Sequence, residues 1–387
     1  MMIKKELELY VHIPFCVKKC AYCDFLSGPA GEQERASYVD ALIREICRRG
    51  SEYCGYEVST VFVGGGTPSI LEGEDTARIF RELRKNFVLR DDAEITMEVN
   101  PGTVTEDKTK AWKACGINRL SIGLQSVSSG ELKMLGRIHT YEDFLYSWDL
   151  VRRTGFENVN IDLISAVPGQ TVESWSRTLC TAAELRPEHI SAYSLIVEEG
   201  TLFYERYGGD GSRSRGDGGQ QWPPLPDEDT EREIYKATEK ILSGYGYHRY
   251  EISNYARPGY ECRHNLGYWE RKEYLGLGLG AASLIGEKRF PNTRDMGLYL
   301  DGHAGGETEL LTVRDQMEEF MFLGLRKTEG ISPEDFGRKF GKTLSEVYGE
   351  QIRNLERQGL LEVCGGRIRL TERGIDISNY VFAEFIF

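Results

Sequence analysis

The chain of 387 residues lacks a long hydrophobic run. Its longest apolar stretches, 58–63 and 161–167, have the length of a strand and fall far short of the ~20 residues that a membrane helix needs. Residues 1–6 include lysines, but neither an apolar segment nor a small-residue cleavage site follows them, so no secretory signal is predicted. These absences predict a cytoplasmic protein without a transmembrane segment.

The chain also lacks an excess of positive charge. Its formal net charge is −13 at pH 7, and the sequence shows no basic stripe and no arginine-rich tail. Because nucleic acids are bound mainly through clustered Lys and Arg, the composition disfavours a nucleic-acid partner, although a local basic groove is still compatible with it.

Short apolar runs alternate with amphipathic stretches over the first half of the chain. Runs rich in Val, Ile, Leu and Tyr predict strands at 7–13, 58–63, 94–99, 119–124, 159–164 and 189–197. Helical periodicity predicts helices between them, at 38–49, 75–87, 106–115, 141–153 and 172–185. Such strand–helix repeats with short connections predict an α/β fold whose parallel sheet curls into a partial or complete barrel.

The pattern changes after this alternation. Residues 208–226 are rich first in glycine and then in proline, which predicts a flexible surface loop. A helix is predicted at 229–242, whereas the aromatic and glycine-rich pieces that continue to residue 306 predict no clear element.

The C-terminal part has the signals of helices followed by a hairpin. Ser332 precedes Pro333 as a helix start, and Thr343 with Glu346 forms a capping box. Two short apolar runs around a Gly-Gly turn at 365–366 predict a hairpin. Three helices and a hairpin predict a winged-helix-like domain, although acidic residues on its last helix disfavour DNA binding. The chain is thus expected to divide into a barrel at 1–206, a loop at 207–227, a barrel-completing region at 228–310 and the winged domain at 311–387.

Three of the nine cysteines lie on one loop directly after the first predicted strand: Cys16, Cys20 and Cys23. An odd number of cysteines favours free thiols and a metal site over a disulfide framework, and strand ends carry the chemistry of barrels. Three thiolates can bind three irons of a cubane cluster, whereas a zinc ion needs a fourth ligand. Cys47 is a poor fourth ligand because its helix pattern places it on an apolar face. A zinc site is the alternative.

The C-x3-C-x2-C loop, with Tyr22 before its last cysteine, resembles the radical S-adenosylmethionine superfamily. From about residue 9 to residue 385 the chain resembles the group of oxygen-independent coproporphyrinogen III oxidases and related heme chaperones. The resemblance implies a partial (β/α) barrel and a 4Fe-4S cluster on Cys16, Cys20 and Cys23. The open fourth iron would bind S-adenosylmethionine, which one electron from the cluster cleaves to a radical.

The resemblance also gives a role to residues at the predicted strand ends. Gly64-Gly65-Gly66-Thr67-Pro68 follows the second strand, and glycine lets a backbone approach a ligand closely. Carboxylates and amides can bond ribose hydroxyls, and an arginine can pair with a carboxylate. Ordinary turn, ion-pair and capping roles are the alternatives. The implied S-adenosylmethionine contacts are Tyr10, Tyr22, Gly65, Gly66, Thr67, Glu98, Gln125, Arg137, Asp162, Ile196 and Ala282.

The stretch His264-Asn265-Leu266-Gly267-Tyr268-Trp269 matches the HNxxYW signature of the heme chaperones. Histidine is a common ligand of heme iron, and aromatic rings can stack on a porphyrin, so the resemblance implies His264 as a heme ligand. Without the resemblance, His264 would be interpreted as an ordinary core or surface histidine. Cys262 is a second candidate ligand, with a buried free thiol as its alternative.

Two functions share this scaffold, and they belong to different classes. An oxidase uses a radical to decarboxylate porphyrin propionates, whereas a chaperone binds heme and transfers it to an acceptor protein. The resemblance implies a C-x3-C-x2-C-x-C pattern for the oxidases, with a further cysteine two residues after the third. In this chain Phe25 occupies that position. That difference and the HNLGYW stretch favour the heme chaperone. Enzymatic activity stays open, no catalytic residue is predicted, and a tRNA-modifying radical enzyme is disfavoured by the acidic charge.

Overall fold

Parallel pairing of consecutive strands builds the main sheet. The computed structural model describes residues 4–208, 222–303 and 305–386, and strands β1 to β6 pair within it in chain order, each parallel to the next. Their bounds are Lys5–Ile13, Tyr56–Gly65, Leu89–Val99, Arg119–Gln125, Val159–Ser165 and His189–Ser194. All the strands predicted in the first half of the chain are therefore confirmed.

Helices connect these strands. Their bounds are α1 Glu32–Glu52, α2 Gly73–Asn86, α3 Glu106–Ala114, α4 Ser129–Met134, α5 Tyr141–Arg153 and α6 Val172–Glu184. The predicted helices are confirmed, but α4 and a 3₁₀ turn at Pro68–Ile70 were not predicted. The placement of Cys47 on an apolar face was wrong, because its side chain is exposed and its thiol donates a hydrogen bond to Glu82 Oε2 (3.4 Å). No helix in the described ranges is long and apolar enough to cross a membrane.

The two faces of the parallel sheet differ in chemistry. In β1, Leu7, Leu9 and Val11 belong to the main hydrophobic core, whereas the alternate positions Glu8 and His12 belong to the buried polar residues. Successive side chains of a strand point to opposite faces. The helix-covered face therefore carries the apolar core, and the opposite, concave face is lined by polar groups that can serve a site.

Short strands extend the sheet at both ends. After α7 (Leu202–Tyr207) and α8 (Glu228–Gly244), the chain forms β7 His248–Arg249, β8 Asn254–Ala256, α9 Arg263–Trp269, β9 Tyr274–Leu277, β10 Ala282–Ile285, β11 Lys288–Pro291, α10 Met296–Leu300 and β12 Glu309–Leu310. β9 pairs parallel to β1, and β8 pairs antiparallel to β6. The sheet runs from β12 to β7, and these end strands do not pair within the described residues. The barrel is therefore partial, and α8 confirms the predicted helix.

The predicted flexible loop falls almost wholly on residues 209–221, which lie outside the described residues.

The C-terminal domain has its own hydrophobic core. It comprises α11 Val313–Gly324, α12 Pro333–Phe340, α13 Leu344–Arg357, β13 Leu361–Cys364, β14 Arg367–Leu370, α14 Glu372–Asp376 and α15 Ser378–Ala383. The capping box of Thr343 and Glu346 is present. Gly365 and Gly366 have φ angles of 58° and 79°, as a tight hairpin turn requires. The winged-helix-like prediction is confirmed.

Candidate functional site

The cysteine loop leaves β1 at the carboxyl edge of the parallel sheet, and backbone hydrogen bonds hold it there. The Cys16 N–H donates to Gly28 O (2.9 Å), and the Gly28 N–H donates to Pro14 O (3.0 Å), which closes the loop at its base. The Ala21 N–H donates to Leu135 O (3.0 Å) just after α4. The three thiols of the loop are free and half-buried, so they stand on a fixed backbone within reach of a ligand.

Two hydrogen-bond donors approach the sulfur atoms of this loop. Thr67 Oγ1 lies 3.5 Å from Cys16 Sγ, and Arg137 Nη1 lies 3.5 Å from Cys20 Sγ. Such donors stabilise negative charge on a thiolate. In the described ranges no three His, Cys, Asp or Glu side chains converge on one point as ligands of a single ion. A cubane cluster needs no such convergence, because each thiolate binds a different iron, and the donor set fits it.

The glycine loop after β2 packs directly against the cysteine loop. The Gly66 N–H donates to Ile13 O (2.9 Å), and the Thr67 N–H donates to Phe15 O (2.7 Å). Gly65 has φ +113°, and a Cβ there would lie 2.4 Å from the ring of His12. Only glycine fits this position without strain. The structure thus places Gly66 and Thr67 beside Cys16 and Gly65 against His12; their contact with S-adenosylmethionine stays a prediction.

Two carboxyl groups occupy the concave face near the strand ends. Glu98 of β3 accepts a hydrogen bond from the Gly65 N–H (3.0 Å). Asp162 of β5 accepts from Ser121 Oγ (2.9 Å) and from Asn160 Nδ2 (2.8 Å). Burial, reinforced by the nearby Asp162 charge, raises the pKa of Glu98 to about 8, and burial also raises the pKa of Asp162. Whether protonated or ionised, the carboxyl groups of Glu98 and Asp162 can form hydrogen bonds with ribose hydroxyls or with an amino group.

The raised pKa of Glu98 predicts a pH-dependent stability. The ordinary pKa is 4.5 and the folded-state pKa is about 8, so the folded protein keeps a proton that the unfolded chain releases between these values, and stability falls as pH rises through that window. Glu98→Gln should therefore change the free energy of unfolding little at pH 4.5 and raise it by more than about 1.4 kcal/mol at pH 9, since one pKa unit corresponds to that energy. Urea denaturation at both pH values measures the difference, and an equal effect at both would contradict it.

Arg137 and Gln125 lie near the end of β4. The Arg137 guanidinium donates to Gly123 O (3.1 Å) and to Asn100 Oδ1, in addition to its contact with Cys20. Gln125 is one of the few non-glycine residues with a left-handed backbone, at φ +70°. That conformation costs about 1–3 kcal/mol and tends to occur at functional sites. The Arg137 side chain is thus held against the cysteine loop, and Gln125 lies at the same edge of the sheet.

The remaining four implied S-adenosylmethionine contacts differ in their burial. The Tyr10 hydroxyl lies 3.0 Å from His12 Nδ1, and Tyr22 is half-buried between Cys20 and Cys23. Ile196 follows β6 and is 67% exposed, and Ala282, at the start of β10, is also exposed. The structure therefore places the two tyrosines beside the loop and leaves the two apolar candidates open to solvent.

His264 does not face an open surface. Its side chain is 1% exposed, with Nδ1 2.7 Å from Thr60 Oγ1 and Nε2 3.0 Å from the Tyr268 hydroxyl. Its ring stacks on Phe62, with 5.2 Å between centroids. Burial lowers the pKa of His264 to about 3, so the imidazole is neutral. Direct ligation of heme iron by His264 would require one of these two hydrogen bonds to break.

Cys262 is also enclosed. It is 0% exposed, and its thiol donates to Glu94 Oε1 (3.6 Å). Burial raises its pKa to about 12, which keeps it protonated and unreactive. The buried-thiol alternative describes this geometry.

Sequence reasoning missed the charged groups on the concave face. Arg119 of β4 is 2% exposed and Glu8 of β1 is 0% exposed. Within the described residues, Arg119 Nε and both Glu8 carboxyl oxygens have no hydrogen-bond partner. The alternation of Leu7, Glu8 and Leu9 was the available signal, because it places an acid on the face opposite the core.

Comparisons with known proteins agree with this architecture. The Radical SAM superfamily model matches residues 10–179, and the HemN C-terminal domain model matches residues 311–377. The chain is 36% identical over 388 residues to the heme chaperone HemW of Lactococcus lactis, covering 100% of this chain and 98% of that protein. It is 37% identical to the heme chaperone HemW of Escherichia coli, covering 98% of each chain.

A solved structure is similar over the whole fold. The chain matches the coproporphyrinogen III oxidase HemN from Escherichia coli, described as a radical SAM enzyme, with a TM-score of 0.83 and 27% identity. The match covers 99% of this chain and 90% of the oxidase. The partial barrel and the winged domain therefore recur together in a porphyrin-related protein.

Proposed function

The chain belongs to the HemW family of the radical SAM superfamily, and from that premise we propose that it is a heme chaperone, which binds heme and transfers it to an acceptor protein. The observation that carries this proposal is the end-to-end identity to proteins named heme chaperone HemW, 36% over 388 residues in one case. The HNLGYW stretch, which forms α9, supports it. The partners are heme and a protein acceptor rather than nucleic acid, and the compartment is the cytoplasm.

The cluster and its ligand are part of the proposal. Cys16, Cys20 and Cys23 would hold a 4Fe-4S cluster, and the chemistry that such a cluster would supply is one-electron reduction of S-adenosylmethionine. The donors beside Cys16 and Cys20 stabilise the thiolates. The S-adenosylmethionine contacts are those implied by the resemblance: Tyr10, Tyr22, Gly65, Gly66, Thr67, Glu98, Gln125, Arg137, Asp162, Ile196 and Ala282.

We propose a separate role for each of the four segments of the chain. Residues 1–206 hold the cluster, 207–227 connect, 228–310 extend the sheet and carry the heme motif, and 311–387 form the winged domain. His264 takes part in the heme site, either as the ligand itself or through its hydrogen-bond partner Tyr268.

An oxygen-independent coproporphyrinogen III oxidase is the second candidate, and the TM-score of 0.83 to HemN favours it. Phe25 argues against it. The C-x3-C-x2-C-x-C pattern of the oxidases has a further cysteine two residues after the third, and Phe25 occupies that position in this chain. Phe25 is 58% exposed, so no packing requirement explains it.

One paired experiment separates the two functions. We predict that the cluster-loaded protein binds about one heme per chain, and that it leaves coproporphyrinogen III unchanged under reducing, anaerobic conditions with S-adenosylmethionine present. Heme titration followed by absorption spectroscopy measures the first result, and chromatography of the porphyrins measures the second. Formation of protoporphyrinogen would establish the oxidase instead, and absence of heme binding would exclude the chaperone.

A further inference from the structure

The Thr67 side chain is directed at the cysteine loop and not at the backbone of its own turn. Thr67 occupies the N-cap position of the 3₁₀ turn Pro68–Ile70, where a threonine hydroxyl typically accepts a hydrogen bond from a backbone N–H. Its side chain makes no such capping bond among the described residues. The hydroxyl donates instead to Cys16 Sγ (3.5 Å), and within the described ranges this is its one hydrogen bond. A capping role therefore does not account for the hydroxyl.

Packing between the glycine loop and the cysteine loop fixes this contact. The Thr67 N–H donates to Phe15 O (2.7 Å). The Cys16 N–H donates to Gly28 O (2.9 Å), so both residues stand on a hydrogen-bonded backbone. The Cys16 sulfur also lies against Gly66, where a Cβ would approach it to 3.0 Å. Thr67 is 6% exposed, and a hydrogen bond shielded from water is stronger than one in solvent. The hydroxyl is therefore held as a fixed donor to this sulfur.

We propose that Thr67 is a positioning residue that raises the reduction potential of the cluster through its hydrogen bond to Cys16. The inference rests on the proposed 4Fe-4S cluster at the cysteine loop. Hydrogen bonds to the sulfur atoms are among the features that set the potential of such clusters. Reduction adds one negative charge, which the thiolate sulfurs share, so a donor stabilises the reduced state more than the oxidised state. Thr67 supplies neither an electron nor a proton, because the electron comes from an external one-electron reductant and the O–H bond stays intact.

Arg137 makes a similar contact at Cys20 but serves several partners at once. Its Nη1 lies 3.5 Å from Cys20 Sγ. The same guanidinium donates to Gly123 O (3.1 Å) and to Asn100 Oδ1. Replacing Arg137 would remove a positive charge beside the loop as well as a donor. The Thr67 hydroxyl is uncharged, so its removal deletes a hydrogen bond without changing the formal charge. Thr67 is therefore the residue at which the effect of a single donor can be measured.

Three variants separate the hydrogen bond from the packing of the side chain. Thr67→Val keeps the branched shape and loses the donor, whereas Thr67→Ser keeps the donor and loses the methyl group. Thr76→Val is the matched control. Thr76 is also buried, at 4% exposed, and its hydroxyl donates to Glu72 O (3.3 Å) at the start of α2. The control therefore removes a buried threonine hydroxyl that bonds within its own helix.

The test uses the full-length, cluster-loaded protein without S-adenosylmethionine, so that altered binding of that ligand does not contribute. Anaerobic titration with dithionite, followed by electron paramagnetic resonance, measures the midpoint potential. At the wild-type midpoint, Thr67→Val should lower the ratio of reduced to oxidised cluster by roughly threefold or more. A tenfold change would correspond to about 59 mV for one electron. Thr67→Ser and Thr76→Val should keep the wild-type ratio. Iron and sulfide content and circular dichroism establish that each variant is loaded and folded.

Each contrary outcome has a distinct meaning. If Thr67→Val holds the cluster at the wild-type potential, the inference is wrong while the cluster assignment stands. If Thr67→Ser or Thr76→Val lowers the potential as much as Thr67→Val does, the hydrogen bond to Cys16 is not the cause, and the inference is again wrong. If Thr67→Val alone loses the cluster, the hydroxyl serves cluster assembly and not the potential, which also overturns the inference. If the wild type itself binds no cluster, the proposed cluster fails, and this inference fails with it.

Discussion

Replacing any one of Cys16, Cys20 and Cys23 by alanine should abolish the iron–sulfur absorbance of the reconstituted protein. Each thiolate of a cubane cluster with an open site holds a different iron, so two cysteines leave a second iron without a protein ligand. The loop cannot adapt easily, because backbone hydrogen bonds fix it at Cys16 and at Ala21. Visible absorption, iron and sulfide content, and electron paramagnetic resonance after reduction measure the loss.

The chain provides its own controls for this experiment. Cys47 is exposed and lies on α1, and Cys115 lies at the end of α3. Cys47→Ala and Cys115→Ala should keep the absorbance and the metal content of the wild type. Full retention of the cluster in Cys20→Ala, or its loss in Cys47→Ala, would contradict the ligand assignment. Stoichiometric zinc in place of iron would establish the zinc alternative.

Local sequence signals predicted the first half of the fold well because its contacts are local in the chain. Each of β1 to β6 pairs with the next strand along the chain, and apolar strands alternate with amphipathic helices, so periodicity alone gave the elements and their order. The bounds of α5, Tyr141–Arg153, agree with the prediction to the residue. A capping box begins that helix and basic residues occupy its last turn, which are strong local signals.

The region after residue 244 was harder because its strands depend on distant partners. β9 has four residues and pairs with β1, far away in the chain. Two-residue strands such as β7 and β12 have no period to detect. Glycines at 276, 278 and 280 also weaken any strand signal there. Tertiary pairing, and not local propensity, makes these elements.

The candidate site was predictable in position but not in detail. The rule that strand ends carry chemistry located the cysteine and glycine loops, because each follows an identifiable strand. It could not show that Arg137 turns back to contact Cys20, since Arg137 follows β4 and the contact spans more than a hundred residues. Nor could the HNLGYW stretch show that His264 is buried against Thr60 and Phe62, because this depends on how α9 packs against β2.

Gly66→Ala should disrupt the site even though it adds a single methyl group. A Cβ at this position would lie 2.6 Å from Phe15 O, 2.9 Å from Phe15 N and 3.0 Å from Cys16 Sγ. These neighbours are mostly backbone and cannot rotate away. The glycine loop must therefore move from the cysteine loop, which weakens the hydrogen bonds from the Gly66 and Thr67 N–H groups. Overpacking of this kind costs roughly 1–3 kcal/mol.

Gly66→Ala should also weaken the binding of S-adenosylmethionine. S-adenosylmethionine should bind the cluster-loaded variant at least roughly tenfold more weakly, because losing about 1.4 kcal/mol of binding energy is enough for that change. Titration calorimetry under anaerobic conditions measures the affinity, and urea denaturation measures the stability. Gly55→Ala is the matched control, since a Cβ there meets nothing within 4 Å, and it should bind like the wild type. If Gly66→Ala kept wild-type affinity and stability, the close packing of the two loops would not govern the site. Only Gly66 packs against the cysteine loop. If Gly66→Ala and Gly55→Ala weakened S-adenosylmethionine binding equally, the cause would therefore be the reduced backbone freedom of alanine and not a clash with that loop.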